Sequence, residues 1–206
     1  MQPDKQSAVT DAIVTLEWEM FTKVSNIGGR ASCQNQPEVF RIMRESQLSV
    51  WTPEIQASYL SDLKEAKAQG RNLCTEKYGY MMESTMPEEY AKIRHRLPPV
   101  MPEKQELIAQ MLVTDAAWEK ETAAAYPKLC AHGRPQAKEQ DTAEQTSMQT
   151  YLAGEWKTYS LRTLRLLRDH QIACREAGRN LTSEELETMM GFYGFDSLEA
   201  AEAALA

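Results

Sequence analysis

The chain has 206 residues, of which 42% are hydrophobic and 26% charged, and its formal net charge at pH 7 is −7. These proportions are ordinary for a globular protein and argue against a disordered chain. The negative charge opposes non-specific binding to phosphate backbones, so nucleic acid is not an expected partner. No apolar run approaches the ~20 residues that cross a bilayer, and residues 1–5 lack a signal-peptide pattern. We therefore expect no membrane association and a cytoplasmic protein.

The cysteines and histidines give no sign of a metal centre. The four cysteines lie far apart without paired spacing, which fits reduced thiols better than a disulfide framework or a zinc site. A di-iron centre in a helical bundle uses Glu-x-x-His, but Lys92, Leu129 and Leu167 stand three residues before the three histidines. The common nucleotide, hydrolase and zinc-protease signatures are also missing, so the sequence predicts neither a metal nor a cofactor.

The first half of the chain predicts five helices. Residues 3–25 carry apolar side chains at three- and four-residue spacing, and Asn26 with the pair Gly28-Gly29 marks the end of that helix. A second helix begins at Pro37 and ends near residue 51, and Thr52 caps a third that runs to residue 70. Asn72 caps a fourth helix, and a fifth runs from residue 87 to the proline pair at 98–99.

The second half predicts further helices around one weak segment. A long helix spans residues 102–127, whereas residues 131–137 form a loop and the polar stretch to about residue 150 is an exposed helix or a mobile connector. A helix from residue 151 to 178 follows. Thr182 and Glu185 have the spacing of a capping box for another helix, and Asp196 is placed to cap a short final one.

These elements predict an all-α fold, an irregular multi-helix bundle with a small C-terminal helical hairpin. We expect residues 1–178 to form the bundle and residues 179–206 to form the hairpin, packed on the bundle or appended to it. The sequence leaves homo-oligomerisation open.

Several segments carry a family resemblance. They are Trp18-Glu19-Met20-Phe21, the loop from Gly28 to Gln34, the helical residues 40–47, and the later segments 78–85 and 154–159. Together they resemble an uncharacterised bacterial family, domain of unknown function forty-one twenty-five, over most of the chain up to about Thr163. The resemblance implies a bacterial cytoplasmic protein and supplies no activity, ligand or catalytic residue.

The loop from Gly28 to Gln34 combines flexible glycines with a guanidinium, a hydroxyl, a thiol and an amide just before a helix. Helix N-termini bind anions, and Arg30 could hold a carboxylate or phosphate bidentately while Ser32 and Gln34 add donors. The alternative is a structural connection between helices in which Arg30 satisfies carbonyls or an acidic side chain.

Arg44 lies between apolar positions of the second helix, with Gln47 one turn later. Both side chains could reach the same anionic ligand as Arg30. The alternative is a buried ion pair between Arg44 and a carboxylate such as Glu19.

Cys33 is the best-placed thiol for a nucleophile, because Arg30 and a following helix N-terminus would favour its thiolate. No histidine lies near it in the sequence, and an unreactive, partly buried thiol is the alternative.

Inward carboxylates on several helices suit general acid chemistry or a pocket. Candidates on or near apolar faces are Glu17, Glu19, Glu83, Asp115, Glu119 and Glu155. Tyr78 and Glu83 could equally line a pocket or serve packing. Buried ion pairs with Arg30, Arg44 and Lys77 are the alternative role for these carboxylates.

Two functions remain from the sequence. The first is a small-molecule enzyme or dedicated binder for an anionic metabolite, with Arg30 and Arg44 holding charge and Glu19 or Glu83 moving protons. The second is a non-catalytic helical interaction protein, in which the same groups tie the bundle together and a partner protein docks on an exposed helix face.

Overall fold

The computed structural model describes residues 5–25 and 29–205, and all regular structure within these ranges is helical. The α-helices in order are α1 Lys5–Phe21, α2 Pro37–Ser49, α3 Pro53–Ala68, α4 Leu73–Thr85, α5 Pro87–Ile93, α6 Pro102–Ala125, α7 Pro127–Ala131, α8 Met148–Trp156, α9 Leu161–Glu176, α10 Leu181–Phe192 and α11 Leu198–Ala204. Short 3-10 turns occur at Ser32–Asn35, Arg94–Arg96 and Lys138–Gln140. The all-α prediction is therefore confirmed. None of the described helices has the length and apolar content that a bilayer span requires.

Local signals place most helix starts where the sequence predicts them. Helices α2, α3, α5 and α6 each begin at a proline, which has the φ angle of a first helical residue and no N–H to satisfy. The Thr52 hydroxyl accepts a hydrogen bond from the backbone N–H of Ile55 at 3.3 Å. Asn72 caps α4 in the same way, accepting from the N–H of Thr75 at 2.9 Å.

Several helix boundaries differ from the prediction. Helix α5, predicted to reach the proline pair at 98–99, ends at Ile93 and is followed by the 3-10 turn Arg94–Arg96. The first helix ends at Phe21 rather than at residue 25, and Gly29, with a φ of +89°, follows in the connection to α2; Asn26 and Gly28 lie outside the described residues. The predicted helix 151–178 is two helices, because the Ser160 side chain caps α9 by accepting from the Thr163 N–H at 3.2 Å. The Ser160 N–H in turn donates to Asp62 of α3 at 2.9 Å, which fixes the break.

The predicted caps of the last two helices are wrong. Asn180 caps α10, since its side-chain oxygen accepts from the Ser183 N–H at 3.1 Å, and the side chain of Glu185 has no capping role. Ser197 rather than Asp196 caps α11, accepting from the Ala200 N–H at 3.2 Å. Glu185 is instead directed between helices.

One large apolar core joins α1, α2, α3, α6, α8 and α9. Its fully buried side chains include Ile13, Leu48, Ile55, Leu63, Met111, Tyr159 and Leu164. Of the two helices in the predicted C-terminal hairpin, α10 packs against α2 and α6, and α11 packs against α10 and α7. The C-terminal helices thus close one side of the bundle.

Helices α4 and α8 approach closely at Gly154. A Cβ atom at this position would lie 2.8 Å from Cγ of Met81 and 3.0 Å from the carbonyl oxygen of Lys77. The missing side chain therefore lets α8 lie directly on α4, which brings Lys77 next to Glu155.

We predict that Gly154→Ala lowers the free energy of unfolding by about 1–3 kcal/mol, because the added methyl group forces α4 and α8 apart. Gly191→Ala in α10 is the matched control, since nothing lies within 4 Å of its added Cβ. The control should be neutral or raise stability by up to about 1 kcal/mol through helix propensity. Urea unfolding of both variants measures the difference, and equal effects would contradict the close approach.

Candidate functional site

Four charged side chains meet in the interior and form what we call the central charge network: Glu17, Arg44, Lys77 and Glu155. Arg44 donates from Nε and Nη2 to the two carboxylate oxygens of Glu17 at 2.8 and 2.7 Å. Its Nη1 donates to Oε1 of Glu155 at 3.0 Å. Lys77 donates to the other oxygen of Glu155. Two carboxylates and two cations therefore balance in charge across α1, α2, α4 and α8.

Neutral side chains complete the network. The Tyr59 hydroxyl donates to Glu17 at 2.6 Å, and the Tyr159 hydroxyl donates to Glu155 at 2.5 Å. Gln47 accepts from Arg44 and donates to Glu155 at 3.3 Å. The ammonium group of Lys77 lies 3.4 Å above the centre of the Tyr151 ring, where the π-electrons stabilise it.

Burial and pairing compete in setting the pKa values of this network. Burial raises the pKa of Glu17 against the opposing effects of Arg44 and the Tyr59 hydroxyl. Burial would also raise the pKa of Glu155, but Arg44 and Lys77 outweigh it and hold this pKa well below its ordinary value. Every charge in the network thus has an internal partner, which is the arrangement of a structural clamp.

Of the predicted residues, Arg44, Gln47 and the inward carboxylates Glu17 and Glu155 lie in this network. Glu19 and Glu83, the two carboxylates predicted to move protons, do not. Arg44 forms a buried ion pair, as the alternative interpretation held, although its partners are Glu17 and Glu155 rather than Glu19. Glu19 lies at the surface and pairs with Lys67 at 2.6 Å, and Glu83 pairs there with Lys157 at 2.9 Å. The structure does not bring these two carboxylates together with Arg44.

The loop predicted to bind an anion directs its polar groups to the end of α1. The amide of Gln34 is buried and donates to the carbonyl oxygens of Phe21 and Val24 at 2.8 and 2.9 Å. Arg30 is exposed and donates to the carbonyl oxygens of Thr22 at 3.2 Å and Gln34 at 2.6 Å. These bonds satisfy carbonyls that a helix end leaves unpaired. Ser32 is exposed in the adjoining 3-10 turn.

Cys33 and Tyr78 lie on the same side of the molecule. Cys33 is an exposed free thiol, and no histidine forms a hydrogen bond to its side chain among the described residues. Tyr78 is partly buried, and burial raises the pKa of its hydroxyl to about 12. Neither side chain lines the cavity to which Gln47 contributes.

A second polar region lies where α10 closes the bundle. We call it the tryptophan cavity; its volume is about 60 Å³. Its lining comprises Gln47, Val50, Trp51, Asp115, Trp118, Leu152, Trp156, Leu167, His170, Gln171, Leu181, Thr182 and Glu185. Gln47 belongs to both regions, so the cavity directly adjoins the central charge network.

Some polar groups of this cavity lack hydrogen-bond partners within the described residues. Gln171 is 6% exposed, and its side-chain oxygen has no hydrogen-bond partner within the described residues. Desolvation raises the pKa of Asp115 to about 7. Desolvation and the neighbouring Asp115 raise the pKa of Glu185 to about 8. The same causes raise the pKa of Glu119, which lies one turn beyond Asp115, to about 8. A desolvated carboxyl group with a near-neutral pKa is typical of a functional site.

Sequence reasoning included Asp115 and Glu119 among the inward carboxylates but missed Glu185, Gln171 and His170. Glu185 was missed because the sequence analysis gave it a role in a capping box with Thr182. Asn180, two residues before Thr182, is also a typical cap residue and could have indicated the correct helix start. Nε2 of His170 lies 2.8 Å from the carbonyl oxygen of Val50, and Nδ1 lies 3.7 Å from Sγ of Cys174. Across residues 5–25 and 29–205, no three side chains of His, Cys, Asp or Glu form a group that could hold a metal ion.

We predict that Arg44→Met lowers the free energy of unfolding by about 3–5 kcal/mol, because it leaves Glu17 and Glu155 buried with too little positive charge. Arg41→Met is the matched control on the same helix, since the Arg41 side chain is 58% exposed and that of Arg44 only 8%. The control should change stability by less than about 0.5 kcal/mol. Urea unfolding tests this, and a mild effect of Arg44→Met would mean that the network is not a structural clamp.

Comparison with known proteins gives a family but no function. A family model described as "Protein of unknown function (DUF4125)" matches residues 7–203, which extends beyond the segments that carry the resemblance in the sequence. No curated protein and no solved structure matches the chain. Since the match covers nearly the whole chain, the protein belongs to this family of unknown function.

Proposed function

We propose that this protein binds a small molecule, as an enzyme or a dedicated binder, in the tryptophan cavity between α2, α6, α8, α9 and α10. The observation that carries the proposal is the buried, unpaired side-chain oxygen of Gln171 at a cavity that also exposes Asp115 and Glu185. A buried polar atom without a partner costs about 1–3 kcal/mol. A ligand that supplies the missing hydrogen bond would recover part of that cost.

The lining has the composition of a ligand site. Trp51, Trp118 and Trp156 provide large apolar walls, and a few polar groups converge between them. Asp115 and Glu185, whose pKa values are about 7 and 8, can each hold or release a proton near neutral pH. This property suits general acid or base chemistry on a bound molecule.

The cavity is a better candidate than the loop from Gly28 to Gln34. The anionic ligand expected at Arg30 and Arg44 stays a prediction, but the donors of both guanidinium groups bind oxygen atoms of the chain itself. The tryptophan cavity, by contrast, has polar atoms without such partners in the part of the chain that the structure describes. We therefore propose that the ligand binds in the tryptophan cavity, which Gln47 separates from Arg44.

We further propose a bacterial cytoplasmic location. The family resemblance supports the bacterial origin, and the four cysteines support a reducing compartment because all are free thiols.

A second candidate function is partner binding by the connection between α10 and α11. Phe192, Tyr193 and Phe195 are exposed there, by 49%, 51% and 36%. Neighbouring exposed aromatic side chains are typical of surfaces that contact other proteins. This surface does not line the tryptophan cavity, so a substitution inside the cavity separates the two candidates.

The test is a thermal-shift screen of chemically diverse small molecules against the wild type and Thr182→Phe. Thr182 lies in the first turn of α10 and lines the cavity, so a phenyl ring there should fill it. Thr75→Phe is the matched control, because Thr75 is exposed in the first turn of α4 and does not line the cavity. Circular dichroism establishes that both variants are folded.

We expect at least one compound to raise the Tm of the wild type and of Thr75→Phe but not that of Thr182→Phe, since a bound ligand stabilises only the folded state that accepts it. Compounds that stabilise all three proteins equally bind elsewhere. That result, or the absence of any stabilising compound, would contradict the proposed function.

A further inference from the structure

We propose that the tryptophan cavity recognises a primary ammonium group, which Asp115, Glu185 and Gln171 bind through their side-chain oxygens. The inference rests on the proposed function and specifies the chemical class of its ligand. Three features of the cavity support it: acceptor oxygens without donors among the described residues, carboxyl groups without a dedicated cation there, and walls formed by three tryptophans.

The unpaired groups of the cavity include three side chains with acceptor oxygens. The side-chain oxygen of Gln171 has no donor, and neither carboxylate of Asp115 and Glu185 forms a hydrogen bond or an ion pair within the described residues. The imidazole of His170 adjoins the carbonyl oxygen of Val50 through Nε2 and the thiol of Cys174 through Nδ1. Gln47 has both its side-chain atoms engaged with Arg44 and Glu155. A primary ammonium group carries three donors and no acceptor, so each of these three side chains can accept one of its hydrogen bonds.

The charges around the cavity are unbalanced. The side chains that face Glu185 from the neighbouring helices are Asp115 and Glu119 on α6, Arg44 on α2, Glu155 on α8 and His170 on α9. Arg44 is the cation of this group, and it already pairs with Glu17 and Glu155. The carboxyl groups of the cavity therefore lack a dedicated countercharge in the described part of the chain. A bound cation supplies one.

The walls favour the same ligand. Three tryptophans line the cavity, and the face of an indole ring attracts a cation more strongly than that of any other side chain. A cavity volume of about 60 Å³ accommodates an ammonium group with a short stem. The rest of a longer amine would extend towards solvent along the partly exposed Thr182 and Glu185.

Cation binding should release protons. Without a ligand, Asp115 and Glu185 are partly protonated at pH 7.5, because their pKa values are raised to about 7 and about 8. A cation beside them favours the charged forms and lowers both pKa values. Binding near pH 7.5 is therefore coupled to loss of protons to the buffer, which calorimetry detects as a dependence of the observed heat on buffer ionisation.

The experiment titrates n-propylammonium chloride into the full chain, with 1-propanol as the neutral isostere and tetramethylammonium as a cation without donors. Sodium and potassium chloride at the same concentrations control for ionic strength. We expect n-propylammonium to bind with proton release and to raise the Tm, and the other solutes to have no such effect. Equal stabilisation by 1-propanol, tetramethylammonium or potassium would overturn the assignment of a primary ammonium.

The variants Asp115→Asn and Glu185→Gln remove charge with little change of shape. Both should weaken n-propylammonium binding about tenfold or more, the usual loss for a charge-assisted hydrogen bond. Each variant should also raise the Tm of the ligand-free protein, because it removes a desolvated carboxylate. A raised Tm also demonstrates that the variant is folded. The exposed residues Glu106 and Glu187 lie on the same two helices, and Glu106→Gln and Glu187→Gln should leave binding unchanged.

The outcomes separate this inference from the proposed function. If a neutral or anionic compound binds and Thr182→Phe abolishes its binding, the cavity is a ligand site but the ammonium assignment is wrong. If n-propylammonium binds equally well to Asp115→Asn, Glu185→Gln and the wild type, it binds elsewhere and the assignment again fails. If Thr182→Phe has no effect on any ligand, the proposed function fails as well.

Discussion

The side chain of Arg44, buried between Glu17 and Glu155, is the interaction that the arrangement of the helices depends on. A guanidinium group can remain in the interior only if carboxylates and further hydrogen bonds replace its water, and here α1, α2 and α8 supply them. Lys77 then balances the second carboxylate from α4, and Gly154 permits the close approach that this requires. The network therefore constrains which faces of four helices can turn inward.

The tryptophan cavity differs from this network in one physical respect. The central charge network contains equal numbers of carboxylates and cations, whereas the cavity contains Asp115 and Glu185 and, next to them, Glu119. Carboxyl groups whose folded-state pKa exceeds the ordinary value of about 4 bind more protons in the folded than in the unfolded chain. Their contribution to the free energy of unfolding therefore falls as the pH rises from about 4 to about 8. Below about pH 4 these carboxyl groups are protonated in both the folded and the unfolded chain, so they no longer make the free energy of unfolding depend on pH.

Local chemistry explains which features the sequence predicts. Prolines 37, 53, 87 and 102 and the caps Thr52 and Asn72 act within a few residues, and the helices begin where they indicate. The break between α8 and α9 was missed because it also depends on Asp62, a residue 98 positions from Ser160 in the chain. Likewise, both Asn180 and Thr182 are residues that can cap α10. The structure uses Asn180, so Glu185 has no capping role and its side chain lines the cavity.

The site was harder to predict than the fold because it depends on contacts between distant helices. Spacing places Arg44, Glu17 and Glu155 near apolar faces, but Arg44 pairs with a residue 111 positions away, which no local pattern specifies. Glu19 and Glu83 have similar spacing and lie at the surface with lysine partners. An unpaired oxygen such as that of Gln171 becomes recognisable only when its surroundings are known.

Within the described residues, the carboxyl groups of the tryptophan cavity have no dedicated countercharge, and we propose that a bound cation supplies it. Carboxyl-detected carbon NMR, with assignments from Asp115→Asn and Glu185→Gln, measures this directly as a pH titration with and without n-propylammonium. We predict titration midpoints of about 7 for Asp115 and about 8 for Glu185 in the ligand-free protein, and both midpoints should fall when the amine is present. Midpoints at the ordinary value of about 4 in the ligand-free protein would contradict it, because the two groups would then already be solvated or paired.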